Sequence, residues 1–202
     1  LWINGQYVGF SKNSRNRAAF DITPYLVKGE NKVAVEVYRS SDGSFLEAQD
    51  MFRLPGIFRS VYLTAQPEAH IRDLIAIPSL SHDYKEGALQ LTAELRNQSK
   101  RSLKGYQLRY TLYRNDLYAQ SNHPTGAMLA IDVPIVKTNE YKVVTGKLEL
   151  KEPALWSAEA PHLYTLIVEL LDRRGRVTQT ASIVTGFREV VIKETPAEED
   201  EF

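Results

Sequence analysis

The chain has 202 residues, 43% hydrophobic and 25% charged, enough apolar material for one large or two small packed domains. Lysine plus arginine and aspartate plus glutamate balance at 25 each, so composition supplies neither the basic surplus that draws nucleic acid nor an acidic solvating tail. Cysteine is absent, which excludes disulfides and thiolate metal sites, and no apolar run approaches the ~20 residues of a membrane helix. The expectation is no nucleic-acid partner and no membrane partner.

The chain opens on Leu1-Trp2-Ile3-Asn4-Gly5, already inside a strand pattern and without a start methionine or targeting peptide. It closes on the acidic run Glu198-Glu199-Asp200-Glu201-Phe202. Both ends read as cut, so localisation is left open between cytoplasm and periplasm. Asn4-Gly5, flanked by apolar residues, is a strong two-residue hairpin signal because both positions tolerate positive φ. Phe20 to Leu26 reads as a single helical turn capped by Asp21 or Thr23, with Pro24 tolerated early. A turn at 28–31 leads into a strand on which Val33, Val35 and Val37 alternate. Residues 39–60 break the rhythm, although Phe45, Leu46, Met51, Phe52, Leu54, Ile57 and Phe58 argue for an ordered loop. A strand at 60–65 and a linker at 67–70 complete the first part.

The second part reads as a fresh run of strands: 71–80, 87–96 with Leu89, Leu91, Ala93 and Leu95 inward, and 106–114 with Tyr106, Leu108, Tyr110 and Leu112 inward. Residues 115–140 look irregular, and strands resume near 142–150, 163–172 and 176–192, the last two joined through Asp172-Arg173-Arg174-Gly175. About seven short strands at this spacing fit an aligned immunoglobulin-type sandwich. The fold class expected is all-β.

Chemistry-bearing motifs are few. His70, His82, His123 and His162 are scattered without metal-ligand spacing and read as surface or packing histidines. There is no nucleophile elbow and no phosphate-cradling glycine loop. Asp42, Glu47 and Asp50 lie close in sequence beside Gln49, Arg53 and Arg59, and glycoside hydrolysis uses two carboxylates ~5–10 Å apart. Asp42 and Glu47 are read as solvated or arginine-paired. Asp50, set between an amide and apolar groups, suits a sugar hydroxyl or, with other oxygen donors, a hard cation such as Na⁺ or Ca²⁺. Phe52 and Phe58, which have the shape to stack on a sugar, are expected in the core instead. Trp156 is read as a loop residue packed over the sandwich, and Asn97-Gln98-Ser99 is a chance-level glycosylation sequon.

Four stretches resemble the glycoside hydrolase family 2 β-galactosidases: LWINGQYVGFSKNSRNRAAFDIT at 1–23, GENKVAVEVYRSSDGSFLEAQDMFRLPGIFRSVYL at 29–63, LWSAEAPHLYTLIVEL at 155–170 and GFREVVI at 186–192. The second is the most specific, and residues 80–140 carry no recognisable motif. The resemblance implies the C-terminal part of a galactose-binding-like jelly-roll domain over 1–66, an immunoglobulin-like β-sandwich over 67–192, and a linker at 193–202 towards a missing (β/α)₈ barrel.

It further implies that Asp50, the aspartate of the QDM triplet, contacts the galactosyl group and is a partial Na⁺ ligand, with Glu47 and Gln49 shaping the loop. A family aspartate in a Gly-Gln-Asp-Ser-Arg run is Asn13 here, which puts a charged role at that position in doubt. No residue of this chain is implied as catalytic, and Mg²⁺ is expected only in the missing barrel. The implied longer enzyme hydrolyses terminal non-reducing β-D-galactosides with retention and is a homo-oligomer. This chain is expected to be inactive alone, lacking both the catalytic barrel and the early jelly-roll strands. It is also expected to leave sheet edges and apolar surface of 1–66 uncovered, and so to aggregate, dimerise or lose order there. A stand-alone carbohydrate-binding sandwich and a structural immunoglobulin-like linker are the alternatives from other functional classes.

Overall fold

The computed structural model describes residues 1–13, 16–46, 50, 52 and 54–192. The architecture is all-β, and the chain divides into two compact units, Leu1–Thr64 and Ala65–Phe202.

In the first unit, strands β1 (Trp2–Ile3), β2 (Gln6–Tyr7) and β3 (Val33–Ala34) form an antiparallel sheet in the order β2-β1-β3. Asn4 and Gly5 turn the hairpin with φ of 52° and 79°, the left-handed pair that matches strand twist. Asn4 also organises the rest of the unit. Its Nδ2 donates to the Tyr25 carbonyl and to Asn31 Oδ1, both at 2.9 Å, and its Oδ1 accepts from the Lys32 amide at 2.9 Å. Thr23–Tyr25 is a short 3₁₀ turn whose N-cap is Ile22, without a side-chain cap, so neither Asp21 nor Thr23 caps it; Asp21 Oδ1 accepts the Thr23 amide at 3.0 Å from one residue further out. A four-residue helix, α1, spans Gly43–Leu46.

Two further expectations fail in this unit. The strand at Val33 stops after Ala34, and Val33, Val35 and Val37 are all about half exposed, so the valine alternation buries no face. Residues 60–65 form no strand and make no ladder, with Val61, Tyr62 and Leu63 exposed. Among the described residues of this unit only Ile3 is a fully buried apolar side chain. An apolar alternation specifies a strand only where a partner face exists to bury it, which both segments lack here.

The second unit packs a three-stranded sheet, β4-β5-β8, on a four-stranded one, β10-β9-β6-β7. The strands are β4 (Ala69–Leu80), β5 (Glu86–Asn97), β6 (Gln107–Asn115), β7 (Asn122–Asp132), β8 (Tyr141–Lys151), β9 (Tyr164–Leu171) and β10 (Val177–Thr185), all antiparallel to their neighbours. The inner strands β5, β6 and β9 carry the core. Leu89, Leu91, Ala93 and Leu95 face Leu108, Tyr110, Leu112, Tyr164, Leu166, Val168 and Leu170 in one apolar cluster, as period-two burial requires. Tyr106 is half-buried at its margin.

β7 occupies part of the segment that looks irregular in sequence. Pro124 and Gly126 disguise it, yet both are admissible because β7 pairs only with β6: an edge strand tolerates proline, and the register shift opposite Thr111–Tyr113 accommodates Gly126 at φ 81°. β10 ends at Thr185, short of 192, since Phe187 makes an isolated parallel bridge with Leu155 instead. At the other edge, β4 and β10 each carry a register shift, and Gln179 Oε1 accepts the Ile71 amide at 2.6 Å, tying the two sheets together.

The Tyr110 hydroxyl is buried in this core with no hydrogen-bond partner among the described residues, and burial pushes its pKa up to about 12. Removing it relieves an unpaired polar group, whereas truncating a neighbour opens a cavity. Tyr110→Phe is expected to leave stability unchanged or raise it by up to about 1 kcal/mol, and Leu166→Ala to lower it by about 2–5 kcal/mol. Urea unfolding of the two variants checks the contrast.

Candidate functional site

Sequence reasoning placed chemistry in the loop after β3. Asp50 lies there in a bend with its side chain exposed. Among the described residues it makes no hydrogen bond or ion pair, and no group of three or more acidic, imidazole or thiol side chains is arranged to hold a metal. Glu47 and Gln49 lie outside the described residues, as do Met51 and Arg53. Asp42 is ion-paired, but with Lys12 at 2.8 Å rather than with an arginine. That hydrogen bond and charge hold the Asp42 carboxyl below its usual range. A carboxylate committed to a lysine is poorly placed to serve as one of a catalytic pair.

Phe52 and Phe58 are 95% and 70% exposed, so the expectation that they sit in the core fails. Phe45, Leu46 and Leu54 are exposed as well, and the first unit offers no second layer to receive them. Lys12, Asn13, Asp42, Gly43 and Leu46 line a shallow depression of about 350 Å³, which brings Lys12 and Asn13 to the start of the loop. Asn13 Oδ1 accepts the Asn16 amide at 3.2 Å, a turn-forming role that an uncharged side chain fills.

In the second unit a depression of about 410 Å³ opens at one end of the sandwich, lined in part by Gln107, Asp132 and Asp172. Its carboxylates are engaged. Gln107 Nε2 donates to Asp132 Oδ1 at 3.2 Å. Asp172 accepts the Arg174 and Arg176 amides at 2.8 and 3.1 Å and pairs with the Arg176 guanidinium at 2.6 Å. The Arg176 hydrogen bond leads the causes that depress the Asp172 pKa to about 2. Asp172 therefore builds the β9–β10 turn, with Gly175 at φ 73°, and is not a free ligand.

The remaining candidates resolve into structure. Asn97 is fully buried, its Nδ2 donating to the Arg101 and Val136 carbonyls at 2.8 and 3.0 Å, so the sequon is a loop organiser closed to glycosylation. His70 is buried and its Nδ1 lies 2.8 Å from the Pro67 carbonyl. Trp156 is half-buried beneath the Arg188 guanidinium, 4.8 Å from its ring centroid. Sequence reasoning missed the partners of Asp42 and Asp172 and the Tyr164 hydroxyl, which accepts the Ala154 amide at 2.8 Å at the start of β9. Only the last had a signal: a tyrosine opening such a strand of an immunoglobulin-like sandwich recurrently bonds backbone upstream.

A two-layer antiparallel sandwich preceded by a small sheet and a carboxylate-bearing loop defines an all-β module of two units. Residues 1–67 match the family described as glycosyl hydrolases family 2, sugar binding domain, and residues 69–188 match glycosyl hydrolases family 2. The chain belongs to glycosyl hydrolase family 2. It is 39% identical over 193 residues to a β-galactosidase of Priestia megaterium, covering 96% of this chain and 18% of that protein. It is 41% identical over 198 residues to a β-galactosidase of Yersinia pestis, covering 95% and 18% respectively. Among solved structures, a Bacteroides uniformis β-glucuronidase superposes with a TM-score of 0.79 at 25% identity, over 93% of this chain and 23% of that one. The chain thus spans less than a fifth of the length of these curated relatives.

The Asp172 pKa sets a pH signature. Its folded value of about 2 lies below the ~3.9 of an unperturbed aspartate. The stability it contributes is complete above pH ~4 and is lost as pH falls through about 2. Asp172→Asn is therefore expected to melt below the wild type at pH 6, with the gap narrowing steadily between pH 4 and 2, as followed by calorimetry.

Proposed function

We propose that this chain is the sugar-binding and spacer portion of a β-galactosidase that, at full length, hydrolyses terminal non-reducing β-D-galactosides with retention. The observation that carries the reading is the identity of about 40% to β-galactosidases along nearly the whole chain, which exceeds that to the β-glucuronidase. The first unit supports it too. Its loop exposes Phe52, Leu54 and Phe58 beside Asp50, apolar surface that suits burial against further protein rather than water.

Retention requires two carboxyl groups about 5 Å apart on either side of the scissile bond. In this reading neither comes from this chain, where Asp42 is committed to Lys12. Asp50 has a binding role: its exposed carboxylate accepts hydrogen bonds from galactosyl hydroxyls, and those that strengthen as the ring distorts lower the barrier. As a Na⁺ ligand Asp50 is incomplete. The described residues form no group of three or more acidic or imidazole side chains that could hold a metal, too few donors for a hard cation, so in this reading the remaining oxygens come from elsewhere in the enzyme. The second unit acts as a rigid spacer whose inner strands are fully packed.

The test is steady-state kinetics of the full-length enzyme on an aryl β-galactoside, wild type against Asp50→Asn, across a sodium titration. The expected result is a fall in kcat/KM of about 10- to 100-fold together with loss of sodium dependence, while the isolated 202-residue chain gives no turnover. Unchanged kinetics and sodium response would reduce the loop to a structural element, and turnover by the isolated chain would overturn the non-catalytic assignment.

A further inference from the structure

Three consecutive residues after β10 are gripped by three different parts of the second unit. Phe187 is fully buried, edge-on to Tyr164 with centroids 5.2 Å apart, and its carbonyl accepts the Trp156 amide at 2.9 Å. Arg188 lies over the Trp156 ring. Glu189 Oε2 accepts the Tyr84 hydroxyl at 2.8 Å, from the turn between β4 and β5.

That turn is held in an unfavourable conformation. Tyr84 has φ 58°, in the left-handed region that a bulky side chain rarely enters. Its neighbours hold it there. The Tyr84 amide donates to the Ser81 carbonyl at 2.9 Å, Ser81 Oγ donates to Asp83 Oδ1 at 2.7 Å, and the Glu86 amide donates to Ser81 Oγ at 3.0 Å. Glycine or asparagine fills such a position without strain, and a tyrosine there needs another reason. The reason on view is the hydroxyl's reach to Glu189.

We infer that Tyr84 is a latch that fixes the direction in which the chain leaves the sandwich, with Glu189 as its catch and Phe187 as its anchor. Tyr84 is a positioning residue with little part in the stability of the fold, because its side chain is 44% exposed and outside the apolar core. Residues 190–192 inherit their starting direction from this clamp. The inference stands on geometry alone and does not depend on the proposed galactosidase activity.

The readout is native-state hydrogen exchange at the Trp156 amide, which opens when the 187–189 segment lifts. Tyr84→Phe removes only the hydroxyl, Glu189→Ala removes the catch, and Glu189→Gln retains an acceptor oxygen. The expected result is exchange at Trp156 faster by about three- to tenfold in Tyr84→Phe and in Glu189→Ala, and within about twofold of wild type in Glu189→Gln. The double variant Tyr84→Phe/Glu189→Ala should be no faster than either single one. Thermal midpoints should stay within about 2 °C of wild type throughout. Unchanged Trp156 exchange in Tyr84→Phe, additive effects in the double variant, or an exchange increase matched by a loss of thermal midpoint would each overturn the latch.

Discussion

Phe187 can enter the sandwich core only because position 87 has no side chain. A Cβ at Gly87 would sit 2.8 Å from the Phe187 ring, closer than real Cβ contacts come, and 3.1 Å from Pro153, tighter than most. Gly87 lies on β5 two residues before Leu89, at the point where the inward row ends. The vacated space admits the ring, which then meets Tyr164 edge-on. Tyr164 in turn holds the Ala154 amide, and Phe187 holds the Trp156 amide. One missing methyl thus organises the 154–164 loop, the start of β9 and the exit after β10.

This explains a feature of the sequence that periodicity could not. The stretches 155–170 and 186–192 stand out as motifs, and 15 residues separate them. In the fold they are one construction: Leu155 bridges Phe187, and Arg188 covers Trp156. Their large aromatic groups pack on one another, Phe187 edge-on to Tyr164 and Arg188 over Trp156.

The inner strands β5, β6 and β9 were legible because both conditions for reading a strand hold there: strict alternation, and a facing sheet that buries one side. β7 was hidden because an edge strand tolerates Pro124 and Gly126, which elsewhere signal a loop. The reverse error, strands read at 35–37 and 60–65, arises where alternation is present and no partner face is. The candidate site was legible only as residue types. That Asp42 is spent on Lys12, 30 positions away, and Asp172 on Arg176 and two amides follows from where the backbone turns, and no spacing rule reveals it.

The two units therefore answer different physical demands. Among its described residues the second leaves one buried side-chain polar atom, the Tyr110 hydroxyl, without a hydrogen-bond partner, and its buried Asp172 is paired with Arg176. The first has one fully buried apolar residue, a hydrogen-bonded frame around Asn4 and Asn31, and a loop whose aromatic side chains face solvent. A frame fixed by amide hydrogen bonds rather than by a core holds its backbone without consuming apolar surface. It leaves Phe52, Leu54 and Phe58 exposed on the same loop as the exposed Asp50, apolar surface that burial against another surface would remove from water.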